Sequence, residues 1–489
     1  MMERQIRWRE VLFFITCLLL GVLGELSFFH EQIGMSFLIF ISGFYAVLLI
    51  RFGLGFSNRR IGILIMASIW ILAGTYAFYD QHIFYELNVL LIPVLTFFHV
   101  VLITRPTHVK WSKLNFVFLL LQKIKEGIMY AAAFINQMTS QVFKRLNTRA
   151  AGVAKQVTIG LLLGLPILFA MTLLLMSADR VFADVMLKLP SILFDARALQ
   201  NVVHGVIALL MGLLFFGVFQ VLKRSDEQNG TEGRELLKSR VRWNAVTPLT
   251  ILFLLNSVYV IFTVIQFKYF FGEGLQDGFT YAEYARRGFF ELLFVTLINW
   301  SLLITFLKMV NMKGRWMKRV LRLMYALLVA VSAVMLLSSY QRLGLYEAAY
   351  GYTVERVMAH ACMLLLMVIF AYTFIRIWIE RLALLHFYLI VGLVFYTGIN
   401  AAGIEKIVVE NNLERYEANG KIDIDYFKNL SWTGLAGLMD LYELDPEYPG
   451  LEEYLEKQKQ HLKGKEDDSW QSFNMTRDRV KERMEGMEF

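Results

Sequence analysis

Apolar stretches recur along most of this chain with short polar breaks between them. They fall at 11–29, 33–50, 61–78, 83–103, 157–177, 202–222, 245–267, 288–307, 320–339, 357–374 and 382–398. Each is close to the roughly 17–25 residues that carry a helix across a hydrocarbon core of about 30 Å. The pattern predicts a polytopic, all-α membrane bundle of about eleven spans. Between the fourth and fifth runs the period changes. Val117, Leu121, Ile124, Ile128, Ala131, Ile135, Met138 and Val142 alternate spacings of four and three, with Lys123, Lys125, Lys144 and Arg145 elsewhere on the surface. That periodicity predicts one amphipathic helix lying on the cytoplasmic leaflet. A coiled coil with a partner and a twelfth span are the alternatives. After residue 403 the pattern turns polar. Residues 404–418 read as a helix ended by Asn419-Gly420, Asp423 or Asp425 as a cap for the next short helix and Ser431 as a cap for the one after. A further helix covers 451–462. This tail is predicted to be a small acidic helical module with few large apolar residues of its own.

The expected organisation is a four-span region at 1–104, a cytoplasmic amphipathic helix region at 105–155, two spans at 156–222 and a polar cytoplasmic linker at 223–244. A five-span region at 245–403 and the acidic helical tail at 404–489 complete it. Composition agrees. The chain is 57% hydrophobic and 18% charged, with a mean hydropathy of +0.51, whereas soluble domains carry about a quarter charged residues. Cys17 and Cys362 both sit inside apolar runs, which supports neither a disulfide framework nor a cysteine metal site. The first run follows Arg4, Arg7 and Arg9 with no small-x-small cleavage site, so it reads as an uncleaved anchor.

Charge sets the orientation. With the N-terminus in the cytoplasm and strict alternation, 29 of the 49 Lys and Arg fall in inner segments, 8 in outer loops and 12 in the tail. The Lys/Arg bias therefore predicts the N-terminus inside. An odd number of spans then places the C-terminus outside the cytoplasm. The tail holds 20 acids against 12 bases, net −8, so the membrane part carries +16 against the chain's overall +8. The expected partners are accordingly the lipid bilayer and a possible membrane-protein partner, and no nucleic acid is expected.

Signatures of chemistry are sparse. No phosphate-binding Gly-x-x-x-x-Gly-Lys-Ser/Thr and no Gly-x-Ser-x-Gly elbow occurs, and His30-Glu31 lacks the second histidine of a zinc-protease motif. No catalytic residue is assigned, and neither a cofactor nor a metal is expected. The densest polar stretch is Tyr281-Ala-Glu-Tyr-Ala-Arg-Arg-Gly-Phe-Phe-Glu291, which runs directly into an apolar span. On one helix, Glu283, Arg287 and Glu291 are successive turns of one face, with the arginine between two acids. The same face leads on to Asn299, deeper in the span. Glu25, Glu86, His204, Glu355 and His360 also lie on or just inside the predicted outer ends of spans. Acids and imidazoles there suit a proton-binding or ligand-binding cluster. A solvated rim is the bland alternative for each alone.

Three blocks carry a resemblance. They are Tyr281-Ala-Glu-Tyr-Ala-Arg-Arg-Gly-Phe-Phe-Glu-Leu-Leu, Arg342-Leu-Gly-Leu-Tyr-Glu-Ala-Ala-Tyr-Gly-Tyr-Thr353, and Asn411-Asn-Leu-Glu-Arg-Tyr-Glu-Ala-Asn-Gly-Lys-Ile-Asp-Ile-Asp-Tyr426. Together, over roughly residues 150–430, the chain resembles a bacterial multi-spanning family catalogued only as a domain of unknown function. The resemblance implies a bacterial inner-membrane location and transfers no catalytic residues. Where relatives tend to have Asn-Pro before the tail, this chain has Gly398-Ile-Asn-Ala-Ala-Gly403. All three blocks fall on the predicted outer face or in the tail. Three functions compete. One is a non-enzymatic scaffold or sensor whose outer face and tail bind an envelope component or a membrane partner. The second is a secondary transporter, which needs broken helices at Pro93, Pro166 or Pro248. The third is a membrane enzyme acting on a lipid-linked substrate at the outer face.

Overall fold

A computed structural model describes residues 8–29, 32–53, 56–80, 82–104, 111–112, 114–143, 171, 196–224, 243–271, 289–311, 314–463 and 469–487. Helix dominates throughout. The membrane part comprises α1 (Trp8–Phe28), α2 (Met35–Phe52), α3 (Arg59–Phe78), α4 (His82–Thr104), α5 (Leu114–Phe143), α6 (Ala196–Arg224), α7 (Val246–Phe271), α8 (Phe289–Met309), α9 (Arg315–Tyr350), α10 (Val354–Trp378) and α11 (Leu384–Ala402). The tail comprises α12 (Ile404–Asn419), α13 (Ile424–Lys428), α14 (Ser431–Leu444), α15 (Leu451–Lys463) and α16 (Met475–Gly486), with a single 3₁₀ turn at Trp470–Ser472. Among the described residues, ten helices are long and apolar enough to cross a membrane, matching ten of the eleven runs. The remaining run, 157–177, lies outside the described residues except for Met171. The chain is an all-α polytopic bundle. A two-residue parallel ladder pairs Trp243–Asn244 (β1) with Val310–Asn311 (β2).

The chain divides into two compact units. The first holds Met1–Tyr79, Tyr85–Gly233 and Glu466–Asp478; the second holds Asp80–Phe84, Arg234–Lys465 and Arg479–Phe489.

In the first unit α1 and α5 both pack on α6, and α2 joins α1 to α3. The α5–α6 contact is backbone on backbone. A Cβ on Gly217 would lie 2.1 Å from the carbonyl oxygen of Gly127, so only glycine permits the approach. That contact selects which face of α5 is packed. Phe116, Lys123, Gly127, Ala131, Phe134 and Ile135 are buried, while Val117, Leu121, Ile128 and Met138 of the apolar stripe are exposed. The packed face is thus rotated from the sequence stripe, because small residues rather than large ones allow the closest helix approach. Lys123, buried there, pairs with Glu126 one turn on. Phe14, Phe134 and Phe216 meet edge-to-face or tilted at the junction of α1, α5 and α6, a geometry favoured by the ring quadrupoles.

Residues 469–478 close one end of this unit. Asn474 donates from Nδ2 to the carbonyls of Tyr76 and Tyr79 at 2.9 Å each, and the Thr476 hydroxyl donates to Phe78 O at 2.9 Å. These are carbonyls that the end of α3 leaves without helical donors. The same Asn474 accepts from the amides of Thr476 and Arg477, capping the start of α16. Met35 N donates to Phe473 O at 3.1 Å, tying the start of α2 to the same segment.

In the second unit α9 packs on α7, α8 and α10. It has 36 residues, about 54 Å at a rise of about 1.5 Å per residue, well beyond a bilayer core. The block 342–353, which falls between the predicted spans 320–339 and 357–374, is therefore mostly the far end of this helix. It stops at Gly351, whose φ of +88° suits glycine. The tail core joins Val408, Val409, Phe427, Leu438, Leu441, Leu451 and Leu455 to Val354 of α10 and Ile399 of α11. The tail's apolar core is thus completed by residues of the spans. The caps resolve as well. Asp423 Oδ1 accepts from Tyr426 N at 3.0 Å and caps α13. Ser431 does not cap α14. Its first turn is capped by Asp80, which accepts from Trp432 N at 3.0 Å and from the Ser431 hydroxyl, because a carboxylate at a helix N-terminus also complements the dipole.

Candidate functional site

The far end of α9 is where the tail and the spans are joined by specific polar bonds. Asn412 on α12 faces the turn after α9. Its Oδ1 accepts from Tyr352 N at 2.9 Å, and its Nδ2 donates to Tyr352 O at 2.8 Å. Arg415, one turn on, donates to the carbonyls of Ala348 and Ala349 at 3.4 and 3.0 Å. Arg356 reaches Gly351 O and lies 4.2 Å from the centroid of the Tyr346 ring. Two guanidiniums thus satisfy the carbonyl end of a long helix, where positive charge is favourable. A Cβ on Gly351 would lie 2.8 Å from Asn412 Oδ1, so the glycine also makes room for this contact. Tyr426 accepts from Val354 N at 2.8 Å through its hydroxyl, and burial pushes that phenol above its ordinary range. The second and third family-like blocks therefore bind each other directly. Of the first block, 281–288 lies outside the described residues.

One turn below this junction sits a buried acid. Glu347 of α9 is 3% exposed. Its Oε2 lies 3.1 Å from Nδ1 of His360 on α10, and Nε2 of His360 lies 3.1 Å from the carbonyl oxygen of Tyr340. The second carboxylate oxygen of Glu347 is buried without a hydrogen-bond partner. The first unit holds a comparable pair, Glu25 of α1 against Nδ1 of His204 on α6, with Glu25 buried.

Asn299, 1% exposed, donates to Ser332 Oγ at 2.9 Å and accepts from the Tyr259 hydroxyl at 2.8 Å. It ties α7, α8 and α9 together within their packed interior. Glu86, Glu291 and Glu355 are exposed. Glu283 and Arg287 lie outside the described residues, so the expected ladder with Glu291 does too. His99 is buried and bonds the Tyr45 hydroxyl at 2.8 Å. Glu347, Asn412, Arg415 and Tyr340 were not among the residues singled out. A usable signal was present for Glu347: it lies four residues before the 351–353 turn and His360 seven after it, so a helical hairpin puts them within about one turn of each other.

Among the described His, Cys, Asp and Glu there is no group of three placed to hold a metal ion. A groove of about 360 Å³ runs along α8, lined by Phe294, Leu297, Ile298, Ser301, Leu302 and Thr305. Its two hydroxyls bond carbonyls of their own helix, at 2.9 and 2.8 Å, so the groove offers a hydrophilic solute little to grip. α4 runs unbroken through Pro93, and Pro248 falls in the first turn of α7, where proline is tolerated. Pro166 lies outside the described residues.

Among the described residues, ten helices long and apolar enough to cross a membrane, with a helical module packed on the ends of α10 and α11, define an integral, multi-pass membrane protein. More specifically, the chain belongs to the family described as a domain of unknown function, DUF4153, whose model matches residues 66–441. That match begins closer to the N-terminus than the three blocks alone suggest and ends inside α14. No curated protein and no solved structure matches the chain.

Proposed function

We propose that this protein is a non-enzymatic membrane scaffold or sensor that presents its C-terminal helical module outside the cytoplasm to an envelope component or a membrane partner. The observation that carries the reading is the docking of α12 on the end of α9 through Asn412 and Arg415. A module tied into the spans by several polar bonds and a shared apolar core can pass a change at its surface to the membrane part. The location follows from charge. The ends of spans that the tail residues bind are those opposite the Lys- and Arg-rich segments, and such segments stay in the cytoplasm. Unbroken helices at Pro93 and Pro248 favour this reading over a transporter with discontinuous spans.

The test is topological. A cysteine at the exposed Glu456 should react with a membrane-impermeant maleimide in intact cells, and one at Asn229 in the polar linker should react only after permeabilisation. A chain lacking Cys17 and Cys362 supplies the background. Labelling of position 229 but not 456 in intact cells would overturn the proposal.

A further inference from the structure

We propose that Glu347 and His360 form a proton-binding site that locks the ends of α9 and α10 together beneath the docked tail. Hydrogen-bond chemistry leads to this. The carbonyl of Tyr340 can only accept, so the His360 nitrogen 3.1 Å from it, Nε2, carries a hydrogen. The other nitrogen, Nδ1, faces Glu347 Oε2 at 3.1 Å. A neutral imidazole with its hydrogen on Nε2 has a lone pair at Nδ1, and an ionised carboxylate has only lone pairs. The contact therefore needs one further proton between them, whichever atom holds it. With that proton the pair is a neutral, hydrogen-bonded bridge. Without it, the single remaining ring hydrogen can serve only one of the two contacts, so lone pairs face each other at Glu347 or at Tyr340 O and a carboxylate charge is left buried, which is costly.

Among the described residues, the groups around the pair leave it to depend on its own proton. On α10, Arg356 is turned to Gly351 O and the Tyr346 ring, and Glu355 is exposed. On α9 the nearest ionisable neighbours along the chain are Arg342 and Tyr346. From α12, Arg415 is engaged with the carbonyls of Ala348 and Ala349, and Glu405 is buried in the first turn. Among the described residues, the charged group bonded to His360 is Glu347. The second oxygen of Glu347 has no donor, so no other hydrogen bond holds the carboxylate once the shared proton leaves. The lock bears directly on the tail, since Gly351 N donates to Glu347 O and the next residue, Tyr352, is bound by Asn412.

The ligand of this site is thus the proton, and its release loosens the junction between spans and tail. This deepens the sensor reading and rests on it only for the use made of the response. The experiment uses purified full-length protein, so its failure leaves the topological test standing, and the reverse also holds. Hydrogen exchange of the α9 end, residues 340–350, is followed in lipid nanodiscs from about pH 5 to pH 10 and corrected for intrinsic base catalysis. The wild type should lose protection by about 10-fold or more across one alkaline step. Glu347→Gln should abolish the step while keeping the protection, because the Gln amide donates to Nδ1 with no extra proton needed. His360→Gln, whose amide can donate to the carboxylate, should also abolish it and decides the matter if the first variant fails to fold. A wild-type profile without the step, or a step retained in a folded variant, overturns the proposal.

Discussion

Asn412→Ala should release the tail from the spans. The side chain is 6% exposed. It supplies both the acceptor for Tyr352 N–H and a donor to Tyr352 C=O, at 2.9 and 2.8 Å. Alanine leaves two backbone groups stranded. An unsatisfied buried polar group costs about 1–3 kcal/mol. Tyr352 is half-buried, so each group sits at the low end, and the pair comes to about 2 kcal/mol. At about 1.4 kcal/mol per decade, that is a change of about 30-fold in the equilibrium for opening the junction. Hydrogen exchange of α12 and α13, or limited proteolysis under conditions where cleavage is slow relative to reclosing, reads that equilibrium. The control is the neighbouring Asn411→Ala. Asn411 donates at 2.9 Å to Ile407 O of its own helix, so its loss should change exchange by less than about 3-fold, within the range of weak helical contacts. Equal effects of the two substitutions would refute the reasoning, since only one of them bridges α12 to the turn after α9.

Two further outcomes follow from other contacts. Asp80→Ala removes the carboxylate that caps α14, at a cost of about 1 kcal/mol for a lost cap; exchange of the Trp432 and Thr433 amides should rise about 5-fold, with Asp80→Asn milder, and unchanged exchange would argue against the cap. Glu380 bonds Lys318 at 2.7 Å and Arg322 at 3.0 Å, and chiefly the Lys318 bond holds its carboxyl below the ordinary 4.5. A depressed folded-state value means stability that is present above the unfolded value and lost as pH falls through the folded one. Because Glu380 is about half exposed, the effect should stay below about 1 kcal/mol. Wild type should melt slightly above Glu380→Gln at neutral pH and level with it near about pH 3; a gap that persists there would count against the bridge.

The spans were legible because each depends only on the length and polarity of one continuous run, and a bilayer makes that a strong constraint. Asn299 was legible for a related reason. An amide within an apolar span must find a partner, though the sequence does not say that the partners are Tyr259 and Ser332. The caps were half legible. Asp423 directly precedes its own helix and accepts from Tyr426 N three residues on, so local spacing finds it. Asp80 caps a helix that begins at Ser431, and no local pattern links such distant positions. The rotated face of α5 was hidden because periodicity weighs large apolar residues, whereas the contact is made by Gly127 and Ala131 against Gly217.

The end of α9 explains why the site itself was missed. Hydropathy falls after Ser339, so a reading based on bilayer thickness ends the helix there and treats Glu347 as a solvated loop residue. The helix instead continues to Tyr350, because protein takes over from lipid as its surroundings. Arg415 and Arg356 satisfy its carbonyl end, Asn412 holds the turn that follows, and His360 faces the one acid on its buried side. A helix that outruns the bilayer needs such partners, and here they come from the tail and from the next span. The second and third family-like blocks supply most of them, Asn412 and Arg415 from one and the end of α9 from the other. The conjunction of those blocks in sequence is therefore a physical one: each contains the groups that the other leaves unsatisfied.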